Sequence, residues 1–184
     1  MRHLPLALAL VLAGCGSQAA ADLPAPAGAV AGAQRAGAFS VDPAHDRLTR
    51  GDDAVGTCRE PTAVAVLDRG ARVAVLCGRE RVLDVYDART LKRLGRTGAG
   101  IGPVGLATDG VHLLYVTDVE GDALLVFHLR PRFELIRRVH VIGGPYDISY
   151  DAERWELTIG LKRTGSVVRY AAGNRPVLRD TTRR

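Results

Sequence analysis

The 184-residue sequence has few of the side chains that most enzymes use for catalysis. It contains one asparagine, Asn174, few serines, one tryptophan and only 5% aromatic residues. Its histidines lack the HxH and HExxH spacings of zinc sites, no CxxCH pattern indicates haem, and no serine lies in a GxSxG elbow. We therefore expect no cofactor and favour a non-enzymatic protein. We expect the single tryptophan, Trp155, to lie in the core.

No apolar run is long enough to cross a membrane, but a shorter one stands at the N-terminus. Residues 4–12 are mostly apolar, follow Arg2 and His3, and lead into Ala13, Gly14 and Cys15. A basic start, about ten apolar residues and small residues at the end are typical of a secretory signal. The sequence Leu-Ala-Gly-Cys also resembles the lipobox of bacterial lipoproteins, in which the cysteine is acylated and the chain is cut just before it. The alternative is a plain signal peptide with an incidental cysteine.

This resemblance implies a signal peptide over residues 1–14 and a lipid anchor, such as palmitate, on Cys15. Two acyl chains are enough for stable attachment to a membrane surface. We therefore expect a protein of the bacterial cell envelope, held on the exported side of a membrane. Residues 15–39 are rich in Ala, Gly and Pro, which predicts a flexible linker. A short Ala-rich helix over residues 29–38 is the alternative.

Cys58 and Cys77 remain as a pair once Cys15 is acylated. An even number of cysteines in an exported protein is consistent with a disulfide. The two residues flank a predicted hairpin, so their approach is plausible. The alternative is two small, buried, unpaired thiols.

The strongest signal in the chain is an internal repeat of 42 residues. Pro61, Pro103 and Pro145 recur at this spacing, and each begins a short strand. Each proline is followed by the same series of strands and polar turns, which predicts repeats over residues 61–102, 103–144 and 145–184. Four short strands in each repeat are the pattern of one β-propeller blade. A β-sandwich or an open meander is the alternative.

The second repeat carries a family resemblance. Its sequence GPVGLATDG (residues 102–110), followed by Tyr115-Val116-Thr117-Asp118 and by LLVF (residues 124–127), resembles the YVTN family of β-propeller repeats. The first and third repeats match by pattern only. The predicted fold over residues 40–184 is therefore all-β, with three four-stranded propeller-type blades forming an incomplete propeller. Residues 40–57 are expected to add one or two strands at most.

Three blades are too few to close a ring, which leaves several arrangements open. The blades could form an open stack, a shortened remnant of a longer protein, or a ring made by two copies. Because open sheet edges invite pairing with another chain, we favour a homo-oligomer.

The carboxylates give one weak candidate for a cation site. Asp118, Glu120 and Asp122 alternate in one turn, and Asp147 lies in the first strand of the third repeat. Oxygen ligands of this kind suit calcium, but such a run is more often a solvated turn. The functional alternative to a binding module is a lactonase-like or hydrolase-like propeller that acts as an assembled oligomer and uses these residues.

The basic residues are concentrated from residue 130 onward. One interpretation is attraction to anionic envelope material, and the other is protection of an exposed last strand from aggregation. The expected partners are a membrane, through the lipid anchor, and a protein or envelope polymer. We expect no nucleic acid partner, because the chain has no stacked aromatic platform.

Overall fold

A computed structural model of the chain describes residues 35–129 and 133–183. These residues form 16 strands and one 3-10 turn, Asp68–Gly70. The predicted signal peptide, Cys15 and most of the predicted linker lie outside the described residues. In the described ranges no helix is long and apolar enough to span a membrane.

The strands form four antiparallel sheets, each of four strands in sequence order. Sheet 1 contains β1 Arg35–Ala36, β2 Phe39–Asp42, β3 Arg47–Arg50 and β4 Asp53–Gly56. Sheet 2 contains β5 Pro61–Leu67, β6 Arg72–Cys77, β7 Val82–Asp87 and β8 Arg93–Gly98. Sheet 3 contains β9 Pro103–Thr108, β10 Leu113–Asp118, β11 Ala123–His128 and β12 Glu134–His140. Sheet 4 contains β13 Pro145–Asp151, β14 Glu156–Leu161, β15 Ser166–Ala171 and β16 Val177–Arg183.

The three predicted repeats correspond to sheets 2, 3 and 4. Pro61, Pro103 and Pro145 are the first residues of β5, β9 and β13. Proline is tolerated there because the first residue of a strand need not donate a backbone hydrogen bond to the ladder. The repeat in the sequence is therefore a repeat of strand starts.

The prediction of three blades was wrong, because residues 35–56 form a fourth sheet. This sheet begins at Arg35, inside the segment that the sequence assigned to the linker. Its strands are only two to four residues long and no proline opens them. Gly37 and Gly51, with φ of 58° and 56°, provide the left-handed positions of two of its turns. Buried Phe39, Val41 and Leu48 supply its apolar face.

The core lies between successive sheets, in three apolar clusters. The first joins sheets 1 and 2, the second joins sheets 2 and 3, and the third joins sheets 3 and 4. The first strands also contact one another in order, β5 with β9 and β9 with β13. Gly105 allows a close approach of sheets 3 and 4, since a Cβ there would lie 3.0 Å from Ile148 Cγ2. The sheets thus stack through their faces, in chain order.

Candidate functional site

The candidate cation ligands occupy different places in the stack. Asp118 is the last residue of β10 and is fully buried. Its Oδ1 accepts hydrogen bonds from the backbone N–H groups of Ile101, Gly102 and Gly121, at 3.1, 2.8 and 3.0 Å. Its Oδ2 lies 3.2 Å from the guanidinium of Arg138. This carboxylate therefore holds the connection between sheets 2 and 3.

Asp122 serves the next connection in the same way. It accepts hydrogen bonds from the N–H groups of Gly143 and Gly144, at 3.2 and 2.8 Å, and pairs with Arg163 of sheet 4. The Gly144 N–H, followed by the Arg163 guanidinium, holds the pKa of the Asp122 carboxyl below its usual value. Glu120 is exposed, and Asp147 lies on a different sheet.

The structure therefore does not gather these four residues into a cation site. Asp118 and Asp122 already bind backbone N–H groups and arginines. Among residues 35–129 and 133–183, no three His, Cys, Asp or Glu side chains are grouped as a metal site would need. Asp118 and Asp122 support the connections between sheets, and a role of the four carboxylates as cation ligands stays a prediction.

Cys58 and Cys77 are joined as a disulfide, with their Cα atoms 6.0 Å apart. Both are buried between sheets 1 and 2. Cys77 ends β6, and Cys58 lies in the connection that leads from sheet 1 into β5. The bond thus holds this connection against the second strand of sheet 2.

A polar surface that the sequence did not reveal covers one side of sheet 4. Side chains alternate along its strands, and Ile148, Tyr150 and Ile159 are among those that point into the cluster with sheet 3. The opposite side, called here the outward face of sheet 4, carries mostly polar residues: Asp147, Ser149, Asp151, Glu156, Thr158, Gly160, Val167 and Arg169.

Most of the corresponding side chains of the other repeats are buried against the next sheet, and the exceptions, Arg72 and Asp109, are half-buried. In sheet 2 the buried residues are Ala63, Ala65, Leu67, Ala74, Leu76 and Leu83, and in sheet 3 they are Gly105, Ala107, Tyr115, Thr117, Leu124 and Val126. Polar residues therefore replace a mostly apolar packing surface in sheet 4 alone. Burying such polar groups without partners is costly, so this face suits water or a polar partner.

Some of these polar groups already have partners within the sheet. Arg169 lies 3.2 Å from Asp180 and 3.6 Å from Glu156. The Asp151 carboxylate accepts the Arg154 N–H at 3.0 Å, and this bond is the main reason that its pKa is lowered. These charged residues of the face therefore have partners within sheet 4.

Three other polar side chains of the face, those of Asp147, Ser149 and Thr158, have no partner in the described part of the chain. Ser149 lies opposite Thr158, and Asp147 lies opposite Gly160. None of the hydrogen bonds or ion pairs found within residues 35–129 and 133–183 uses the side chains of these three polar residues. The Tyr146 ring lies beside them, since a Cβ on Gly160 would be 3.2 Å from both Tyr146 Cε1 and Asp147 Cβ. The group offers a carboxylate, two hydroxyls and an apolar ring surface to a ligand.

One signal in the sequence could have indicated this face. The first strand of sheet 4 reads PYDISYD, where the equivalent strand of sheet 2 reads PTAVAVL, so its alternate positions change from apolar to polar. The expectation for Trp155 was wrong in the same region. This side chain is 65% exposed and has φ of 51° in the turn before β14, where packing against the core is not available.

Comparisons with known proteins show the fold. No protein-family model matches the chain, and no curated protein matches it either. Among solved structures, periplasmic gluconolactonase PpgL from Pseudomonas aeruginosa is similar, with a TM-score of 0.64 and 13% identity over 78% of this chain and 50% of that chain. Dihydro-heme d1 dehydrogenase NirN is similar at a TM-score of 0.66 and 15% identity, over 78% of this chain and 34% of that chain.

A third likeness is to the WD40 domain of Toxoplasma gondii coronin, at a TM-score of 0.52 and 15% identity, over 71% of this chain and 37% of that chain. The chain thus spans half or less of the length of these solved structures. At such low identity the likeness concerns architecture alone. The described sheets are therefore repeats of the β-propeller type, and four of them are present.

Proposed function

We propose that this protein is a non-enzymatic binding or scaffold module of the bacterial cell envelope, anchored through lipid on Cys15. The outward face of sheet 4 is its binding surface, and the partner is a protein or an envelope polymer. The single observation that supports this proposal is the change from apolar to polar residues on that face. Asp147, Ser149 and Thr158 there have no partners among the described residues.

Packing on another sheet and binding a polar partner need different side chains. A sheet whose face packs on another sheet gains stability from apolar side chains, as sheets 2 and 3 do. A face with unpartnered hydroxyl and carboxylate groups gains nothing from such packing, but it can exchange water for hydrogen bonds to a polar partner. Tyr146, which is 39% exposed, adds apolar contact area at the edge of these groups.

The anchor part of the proposal depends on residues 1–15. The basic start, the apolar segment and the Leu-Ala-Gly-Cys sequence support it. Changing Cys15→Ser should release the protein from membranes, because the acylated thiol is lost. Retention of this variant in the membrane fraction would contradict the anchor.

The binding surface is tested by sedimentation with isolated cell-envelope material. Tyr146→Ala combined with Asp147→Ala should weaken binding by about tenfold, as expected for the loss of one or two good contacts. Ile101→Ala combined with Glu120→Ala is the matched control, because it removes one exposed apolar side chain and one exposed carboxylate away from sheet 4. Equal binding by both double variants and the wild type would refute this surface.

A further inference from the structure

The second outer surface of the stack is also polar. In sheet 1, Phe39, Val41 and Leu48 point into the cluster with sheet 2. The opposite side, called here the outward face of sheet 1, carries the remaining alternate residues: Arg35, Ser40, Asp42, Arg47, Thr49 and Ala54. The stack of four sheets thus has two polar end faces, one on sheet 1 and one on sheet 4.

The two end faces have opposite unpaired charges. On sheet 1, Asp42 pairs with His45 at 2.6 Å, whereas Arg35 and Arg47 have no ion pair with any residue that the structure describes. On sheet 4, Arg169 is paired with Asp180 and Glu156, which leaves Asp147 as the carboxylate without a pair. One face therefore presents free guanidinium groups, and the other presents a free carboxylate.

Each of the two faces also carries a cross-strand pair of hydroxyl groups. On sheet 1, Ser40 of β2 lies opposite Thr49 of β3, and their hydroxyl oxygens are 2.7 Å apart. On sheet 4, Ser149 of the edge strand β13 lies opposite Thr158 of β14. Hydroxyls can both donate and accept hydrogen bonds, so either pair can bind a polar partner.

We infer that the partner of the outward face of sheet 4 is the outward face of sheet 1 in a second copy of this chain. This inference rests on the proposed function, since it names the partner of the same surface. Each copy supplies one face of each kind, so two copies form two identical contacts related by a two-fold axis. The pair closes a ring of eight sheets, a number within the range of known propellers.

The charges of the two faces favour this occupant over others. They are complementary, which steers partners together and disfavours a copy of the same face.

The test is a charge swap, measured by sedimentation of the full chain in density-matched detergent. The wild type should be a dimer. Asp147→Arg alone, or Arg35→Asp alone, should weaken dimerisation by about a hundredfold or more, because both residues lie on first strands and like charges then face each other in both contacts. The variant that carries both changes should form dimers again, since the attraction is restored with the signs exchanged.

A matched control reverses one acid and one base on turns away from both faces. Glu120→Arg combined with Arg79→Asp changes the same types of charge on exposed residues in turns of sheets 3 and 2 and should leave the dimer unchanged. A monomeric wild type would overturn the inference, as would a dimer that neither single reversal weakens. Circular dichroism of each variant checks that loss of the dimer is not loss of the fold.

Sedimentation with envelope material separates this inference from the proposed function. If the wild type is a monomer and still needs Tyr146 and Asp147 to bind an envelope polymer, the proposed surface stands and the second copy is excluded. If the wild type is a monomer and those residues have no effect on binding, both are refuted.

Discussion

Asp118 gives the sharpest prediction about the stability of the stack. Its side chain is 0% exposed and accepts three backbone N–H groups, two of which belong to the connection between sheets 2 and 3. Hydrogen bonds to a charged group contribute about 1.5 to 3 kcal/mol each, and leaving a buried donor without a partner costs about 1 to 3 kcal/mol. We therefore expect Asp118→Ala to lower the free energy of unfolding by about 4 kcal/mol.

The variant Asp118→Asn should cost less, about 1 to 2 kcal/mol. Its amide oxygen still accepts the three N–H groups, but its NH₂ group faces the guanidinium of Arg138, which is also a donor. Glu120→Ala, in the same turn but exposed, is the control and should change stability by less than about 0.5 kcal/mol.

Urea denaturation measures all three variants. At a typical slope of about 2 kcal/mol per molar urea, Asp118→Ala should lower the unfolding midpoint by about 2 M. Unfolding of this variant at the midpoint of the Glu120→Ala control would contradict the role of Asp118 in the connection. A rise in the melting temperature of the wild type with calcium, absent in Asp118→Asn, would instead restore the cation site that the sequence suggested.

Two further predictions concern the disulfide and acid unfolding. Replacing Cys58 and Cys77 by Ala removes a link between residues 19 apart in sequence, which should cost about 3 kcal/mol and lower the melting temperature by about 6 to 12 °C; an unchanged melting temperature, with or without reductant, would contradict the link. Hydrogen bonds, led by backbone N–H groups, lower the pKa values of Asp87, Asp122 and Asp151. Their contribution to stability is therefore present at neutral pH and is lost as the pH falls below about 4, because the unfolded chain then binds protons first. Urea midpoints measured against pH should fall in this window, and Asp151→Asn should make the fall smaller; an equal fall in that variant would refute its part.

The repeat in the sequence predicted three of the four sheets, because its residues meet backbone requirements that each of these sheets shares. Pro61, Pro103 and Pro145 mark strand starts, and alternating apolar residues after them mark a buried strand. Sheet 1 has neither signal. Its strands have two to four residues, so the alternation of β2, FSVD, is too brief to stand out, and its turns depend on single glycines such as Gly37 that also suit a linker.

The candidate site was harder to predict, because it depends on which sheet lies last in the stack. Acidic residues in a turn resemble cation ligands in sequence whether they bind a metal or a backbone N–H group, and only the fold distinguishes the two. The polar residues at Asp147, Ser149 and Thr158 were visible in the sequence. Their exposure became clear only when sheet 4 was aligned with sheets 2 and 3, where the side chains at the same positions are buried.

The last residue of each second strand explains why the repeats match in pattern more than in side chains. Cys77, Asp118 and Leu161 each lie opposite the proline that opens the sheet. Each holds the preceding connection by a different chemistry. Cys77 forms a disulfide with Cys58, Asp118 accepts backbone N–H groups, and Leu161 packs where a Cβ on Gly143 would lie 3.1 Å from its Cδ1.

The feature that repeats is therefore a contact between the end of the second strand and the connection that precedes the sheet. A disulfide, hydrogen bonds or apolar packing can each make this contact. Gly100 shows that the residue in the connection must suit the residue at the strand end. It precedes Pro103 by three residues, as Cys58 precedes Pro61, and a Cβ on Gly100 would overlap the Asp118 carboxylate. The residue in the connection and the residue at the strand end must thus change together: a covalent bond needs a side chain on both, whereas a buried carboxylate needs glycine opposite. The repeats are therefore alike in these pairs, Cys58 with Cys77 and Gly100 with Asp118, and not in the single residues.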